Sequence, residues 1–199
     1  MNQRFYDMYY GDGYKEVLDF IASIIILGLA LSLRYWIVGA YSYALTSFFS
    51  IGIGFLLHEL AHRYTARKFG AISKYRAWYP GLLLSLVIAI VTRGNIIFAA
   101  PGAVEIYMTW YTPRIEAVIS LAGPFTNIFL ALMCTVINTI FSLSFLQPYI
   151  NILAYINAVL AFFNLIPIPP LDGFKALKGY LLGWIVLFAL SLVLVIYYY

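Results

Sequence analysis

The sequence predicts an all-α polytopic membrane protein with about five transmembrane helices and a re-entrant strand or short-helix element after the second. Three observations carry that expectation. Of 199 residues, 64% are hydrophobic and only 10% are charged, whereas a soluble domain has about 25% charged residues. The apolar residues fall into runs of about 20, the length that crosses about 30 Å of hydrocarbon at about 1.5 Å per residue. The basic residues cluster between those runs, as membrane orientation signals do.

The first span runs from about Val17 to Trp36, and it is expected to stay in the membrane, because no small-residue cleavage site follows it. The second runs from Ser42 to Thr65. The third opens after Pro113 and continues to about Phe145, and the fourth runs from Pro148 into the proline cluster at Pro167 to Pro170. The fifth starts at Tyr180 and closes on Tyr197, Tyr198 and Tyr199, an interfacial aromatic ending. Residues 80–107 contain two short apolar runs around Thr92-Arg93-Gly94-Asn95. That pattern reads as a strand hairpin or as a short buried helix followed by one strand. Non-helical backbone at membrane depth requires protein or a water-filled cavity around it, so this element is expected beside a site.

Charge sets the number of crossings. Arg63, Arg67, Lys68, Lys74 and Arg76 follow the second span, and Lys175 and Lys178 follow the fourth, while Arg4 and Lys15 precede the first and Arg114 opens the third. All face the cytoplasm if residues 80–107 return to the side they left. The net charge of +4 is small and spread among loops, which argues for contact with the lipid bilayer and against nucleic acid. The single cysteine, Cys134, excludes an intrachain disulfide and reads as a small apolar residue. The chain is expected to form one integral-membrane domain over 1–199, with its core at about 42–178.

Both histidines lie in one pentapeptide, His58-Glu59-Leu60-Ala61-His62. Residues four apart share a helix face, so the two imidazoles can grip one Zn²⁺. Glu59 stands one position along, where its carboxylate can take the proton of an attacking water. A catalytic zinc needs a third protein ligand, and no third histidine exists. The candidate carboxylates are Asp7, Asp12, Glu16 and Asp19 near the N-terminus, Glu105, Glu116 and Asp172. Asp172 lies at the cytoplasmic end of the fourth span, the same depth as the histidine pair. It follows prolines that break the helix and let the chain bend toward the metal.

Three stretches resemble the site-2 proteases, zinc metalloproteases that cleave substrates within the membrane. They are His58 to His62, the segment Asn164-Leu165-Ile166-Pro167-Ile168-Pro169-Pro170-Leu171-Asp172-Gly173, and Ala122-Gly123-Pro124-Phe125-Thr126-Asn127. The resemblance implies one Zn²⁺ per chain held by His58, His62 and Asp172, with Glu59 as general base. It implies that Asn164 binds the substrate backbone or stabilises the tetrahedral intermediate. Pro101, Gly102, Ala103 and Val104 look like the family's re-entrant strand, which pairs with an unwound transmembrane substrate. No appended peptide-binding module is expected, and the multi-pass chain is expected in the cell membrane with its site toward the cytoplasm. Asn127 reads as an interhelical packing residue. The competing function is a membrane zinc carrier or sensor that uses the same ligands without hydrolysis. A path of further carboxylates or histidines through the spans would favour that function, and the sequence lacks one. The oligomeric state has no signature in the sequence.

Overall fold

The structure, a computed structural model, describes residues 13–96, 98–99, 102–108, 112–141 and 144–198. In chain order these form α1 (Gly13–Ile37), α2 (Tyr41–Lys68), β1 (Ile72–Ala77), α3 (Tyr79–Val91), β2 (Gly102–Tyr107), α4 (Pro113–Phe141), α5 (Gln147–Asn164), α6 (Asp172–Gly179) and α7 (Leu181–Tyr198). Four of the five expected spans, α1, α2, α4 and α7, are long and apolar enough to cross a membrane. The remaining one forms as α5, 18 residues long, but Gln147, Asn151, Asn157 and Asn164 make it more polar than the others. Its amides are used inside the bundle. Asn138 donates to Asn151 at 2.7 Å, and Asn157 meets Asn127 at 2.9 Å. An amide in a spanning helix stays there at little cost when another helix completes its hydrogen bonds.

Residues 80–107 take the second of the two conformations expected of them, a helix followed by a strand. The partner of β2 is β1, in the loop after α2, with Ile72 opposite Tyr107 and Ala77 opposite Gly102. This small antiparallel sheet is the one departure from helix among the described elements. The 13 residues of α3 rise only about 20 Å, too little for a full crossing. Tyr79 at its start donates its hydroxyl to Asp19 near the beginning of α1 at 2.7 Å, and Gly94 just beyond its end lies against the backbone of Arg34 near the end of α1. Thus α3 runs alongside α1, and the chain then comes back so that Gly102 pairs with Ala77. The excursion starts and finishes at one place, which is what the charge pattern requires.

Acidic residues of α1 pin the sheet. Glu16 is buried and accepts hydrogen bonds from Arg63 Nη1 and from the Tyr75 backbone N–H, both at 3.0 Å. The Tyr75 N–H therefore points away from β2. Antiparallel pairs alternate between bonded and non-bonded, so Tyr75 opposite Val104 is a non-bonded pair, and the backbone N–H and C=O of Val104 point to the outer edge of β2. Tyr75 fills the space beneath, stacked on Phe20 at 4.3 Å and touching Phe55. Leu27, Ile51, Leu82 and Leu160 complete this core. A second core joins α4, α5, α6 and α7 through Leu121, Ile128, Ala161, Ala176 and Leu194. The faces of α2 and α4 between the two cores carry the site.

Candidate metal centre

The four-residue spacing on α2 brings the His58 and His62 rings together, 4.6 Å between centroids and nearly perpendicular. Both are buried, as is Glu59. Asp172 reaches them from the first turn of α6, after the proline-containing segment has carried the chain back from the end of α5. Trp184 of α7 holds that segment by donating its indole N–H to the Leu165 carbonyl at 2.8 Å. Asp172 Oδ2 lies 3.3 Å from His58 Nε2 and 3.1 Å from His62 Nε2, and the two Nε2 atoms are 3.0 Å apart. Among the described residues these three form the one cluster able to hold a metal ion.

The donor set fits zinc. With bonds of about 2.0–2.1 Å, tetrahedral ligand atoms sit about 3.3 Å from one another, close to the three observed separations. The tautomers agree. His62 Nδ1 is 2.7 Å from the Ile119 carbonyl, which can only accept, so Nδ1 carries the proton and Nε2 a lone pair. His58 Nδ1 is 2.6 Å from Asn127 Oδ1, which leaves the His58 Nε2 lone pair facing inward as well. Two lone pairs and a carboxylate oxygen thus converge on one point, an arrangement that a cation satisfies. Glu59 Oε2 is buried with no hydrogen-bond partner among the described residues, which suits a group that awaits a water or a substrate.

Gly123 of α4 faces the two imidazoles so closely that a Cβ there would press on His58 Nε2 and His62 Nε2. Pro124, next in the helix, has no N–H and leaves the Ser120 carbonyl without its helical donor. Ser120 lines the adjoining cavity, whose volume is about 400 Å³. Glu59, Asp172, Asn164 and the β2 residues Gly102, Val104 and Ile106 line it too. Asn164 reaches this cavity from the end of α5, although one amide hydrogen is spent on the Leu160 carbonyl of its own helix at 2.9 Å.

Of the expected site residues, His58, Glu59, His62, Asp172, Asn164, Gly102 and Val104 meet at one cavity. Ala103 is present as a backbone position in β2, and Pro101 lies outside the described residues. Glu105 lines the cavity rim and is exposed. It accepts a hydrogen bond from the Tyr107 hydroxyl at 2.7 Å, and that bond raises the phenol above its ordinary pKa. Glu16 and Asp19, also weighed as metal ligands, are instead the anchors of β1 and α3. Ser120, Lys175 and Arg76 border the site without having been expected there, and Gly123, quoted only within a stretch that carries the resemblance, faces the imidazoles. Only the Gly-Pro pair in α4 offered a signal, since two poor helix formers inside a span mark close approach.

The family model described as peptidase family M50 matches residues 139–190. A protein of Methanocaldococcus jannaschii named "Putative zinc metalloprotease" is 40% identical over 165 residues, which cover 82% of this chain and 84% of that protein. Two bacterial proteins carry the same description. The match to the Mycolicibacterium smegmatis one is 32% identical over 63% of this chain and 53% of the relative. The match to the Bacillus subtilis one is 29% identical over 63% of this chain and 64% of the relative. The chain thus spans most of the archaeal relative and between half and two thirds of the bacterial ones. No solved structure matches it significantly.

Proposed function

This chain belongs to peptidase family M50, the site-2 proteases, and from that premise we propose that it is a zinc-dependent endopeptidase that hydrolyses peptide bonds of transmembrane protein substrates inside the bilayer. The observation that carries the proposal is the convergence of His58 Nε2, His62 Nε2 and Asp172 Oδ2 beside the unpartnered carboxylate of Glu59. His58, His62 and Asp172 hold one zinc, which when bound polarises a carbonyl and makes a water acidic near neutral pH. Glu59 takes the proton of the attacking water and later returns it to the leaving amine. Asn164, with one amide hydrogen still uncommitted to its helix, faces the substrate backbone. Burial of Glu59 among apolar helices keeps its proton transfers away from bulk water.

A substrate helix hides its carbonyls in its own hydrogen bonds, so the scissile segment must unwind and find replacements. The outer edge of β2 supplies them by strand addition. Because the Val104 N–H is not used in the β1 ladder, Val104→Pro removes a donor from the substrate edge while leaving the sheet intact. Losing one such bond costs about 1 kcal/mol. Cleavage of a detergent-solubilised transmembrane reporter is therefore expected to fall about fivefold, at unchanged zinc content and with products mapped inside the membrane segment. Unchanged rates with several reporters would remove the strand-addition step, and a zinc-loaded parent protein that cuts none of them would remove the protease reading.

The membrane is the cell membrane, and the metal site lies toward its cytoplasmic side, where the basic residues at the end of α2 gather. Lys68 and Gln147 are both exposed and are separated by the α3–β2 excursion and one crossing, α4. Cysteines placed at these two positions in a Cys134→Ala background are expected to react with an impermeant thiol reagent from opposite faces. Labelling from the same face would mean that the excursion crosses.

A further inference from the structure

We propose that Asn157 is a positioning residue for the metal centre, acting through Asn127 to hold His58 in the tautomer whose Nε2 lone pair faces the ion. The proposal rests on the reading of His58 as a zinc ligand.

The two histidines are oriented by different means. His62 Nδ1 meets a backbone carbonyl, that of Ile119, and a carbonyl accepts in every arrangement. His58 Nδ1 meets the side-chain amide of Asn127. An amide can present either its oxygen or its nitrogen, and with the nitrogen forward it would favour the wrong tautomer. Something must fix which end points at His58.

A chain of one-way hydrogen bonds does so. Asn157 Nδ2 donates to the Leu153 carbonyl at 2.9 Å, which turns Asn157 Oδ1 toward Asn127. Asn127 Nδ2 donates to that oxygen at 2.9 Å and to the Gly54 carbonyl at 3.0 Å. Both its amide hydrogens face acceptors, so Asn127 Oδ1 is left for His58, whose Nδ1 must then carry the proton. Asn127 is wholly buried and Asn157 is nearly so, and the chain touches three helices, α2, α4 and α5. Gly54 permits it, because a Cβ at that position would come within 2.7 Å of Asn157 Oδ1.

Interhelical adhesion alone would also place two asparagines between helices. The two roles differ in what they do to the imidazole. Groups that orient a ligating histidine typically change metal affinity 10- to 100-fold. Asn127→Leu is therefore expected to weaken zinc binding by about that factor, and Asn157→Leu by about tenfold, since the Gly54 carbonyl still holds one amide hydrogen. In an Asn127→Leu background the second substitution should add nothing, because Asn157 acts only through Asn127.

The test uses the full chain in detergent and needs no substrate, so it stands apart from the outcome of any cleavage assay. The zinc dissociation constant is measured by chelator competition at one pH. The chain has two histidines, so ¹⁵N spectra of histidine-labelled, metal-free protein resolve both tautomers. The expected result is Nδ1–H on both rings of the parent protein, and loss of that preference at His58 but not at His62 in Asn157→Leu. An Asn157→Leu protein with unchanged affinity and an unchanged His58 tautomer would overturn the proposal. So would an effect of Asn157→Leu that adds in full to Asn127→Leu. If Asn127→Leu does not fold, the tautomer and affinity of Asn157→Leu decide alone. Retention of zinc by His58→Ala would instead overturn the ligand assignment beneath it.

Discussion

Glu59→Gln and the parent protein are both expected to bind about one zinc per chain, while the variant loses cleavage by several orders of magnitude. The substitution keeps the size of the side chain and most of its hydrogen-bonding surface, so the neighbouring imidazoles stay in place. What disappears is the ability to accept a proton. One acid–base group is worth roughly 10²- to 10⁴-fold, and Glu59 would act twice, first on the water and then on the leaving amine. Its Oε2 is buried without a partner among the described residues, so no structural bond is lost when the carboxylate becomes an amide. Metal analysis by mass spectrometry, run beside cleavage of a transmembrane reporter, checks both halves. A Glu59→Gln protein that still cuts would sink the general-base assignment.

Gly123→Ala is expected to be as damaging as removal of a ligand. The added Cβ would press on both Nε2 atoms, crowding the place where the ion belongs while every ligand residue remains. Asp172→Ala and His58→Ala take away proposed ligands directly, and two remaining protein ligands would fall below the usual three of a catalytic zinc. All three variants should lose zinc and activity together, unlike Glu59→Gln. Full zinc with normal cleavage in Asp172→Ala would move the third ligand elsewhere, with Glu105 next in line. Full zinc in Gly123→Ala would mean that α4 can retreat from α2 without cost.

The spans were legible because a bilayer imposes a length, and α1, α2, α4 and α7 begin and end within a few residues of where their apolar runs do. The pentapeptide at His58 was legible because helical spacing alone places its imidazoles on one face, and Asp172 because depth left few rivals. The strand β1 was not. Its sequence, Ile-Ser-Lys-Tyr-Arg-Ala, reads as a basic loop after α2, and its partner lies beyond an intervening helix. The conformation of residues 80–107 stayed open between two forms because short apolar runs lack enough turns to reveal a period. Glu16 and Asp19 read as candidate carboxylate ligands near the N-terminus, and their role as anchors appears only with β1 and α3 resting on them. Asn157 gave no signal either: an amide in an apolar helix acquires meaning only from what stands opposite, here Asn127, thirty residues away.

The pairing of Ala77 with Gly102 has a consequence for how such a chain can change over time. Whatever lies between the two strands leaves from and returns to a fixed anchor, as a side branch does on a closed circuit. Residues gained or lost there alter how deeply the branch reaches along α1, but not the sidedness of α4 or of anything after it. The Asp172 carboxylate would still arrive at the level of the histidines. This stretch is therefore where relatives can differ in length while keeping the same metal ligands in register, a freedom that an insertion inside α2 or α4 does not have.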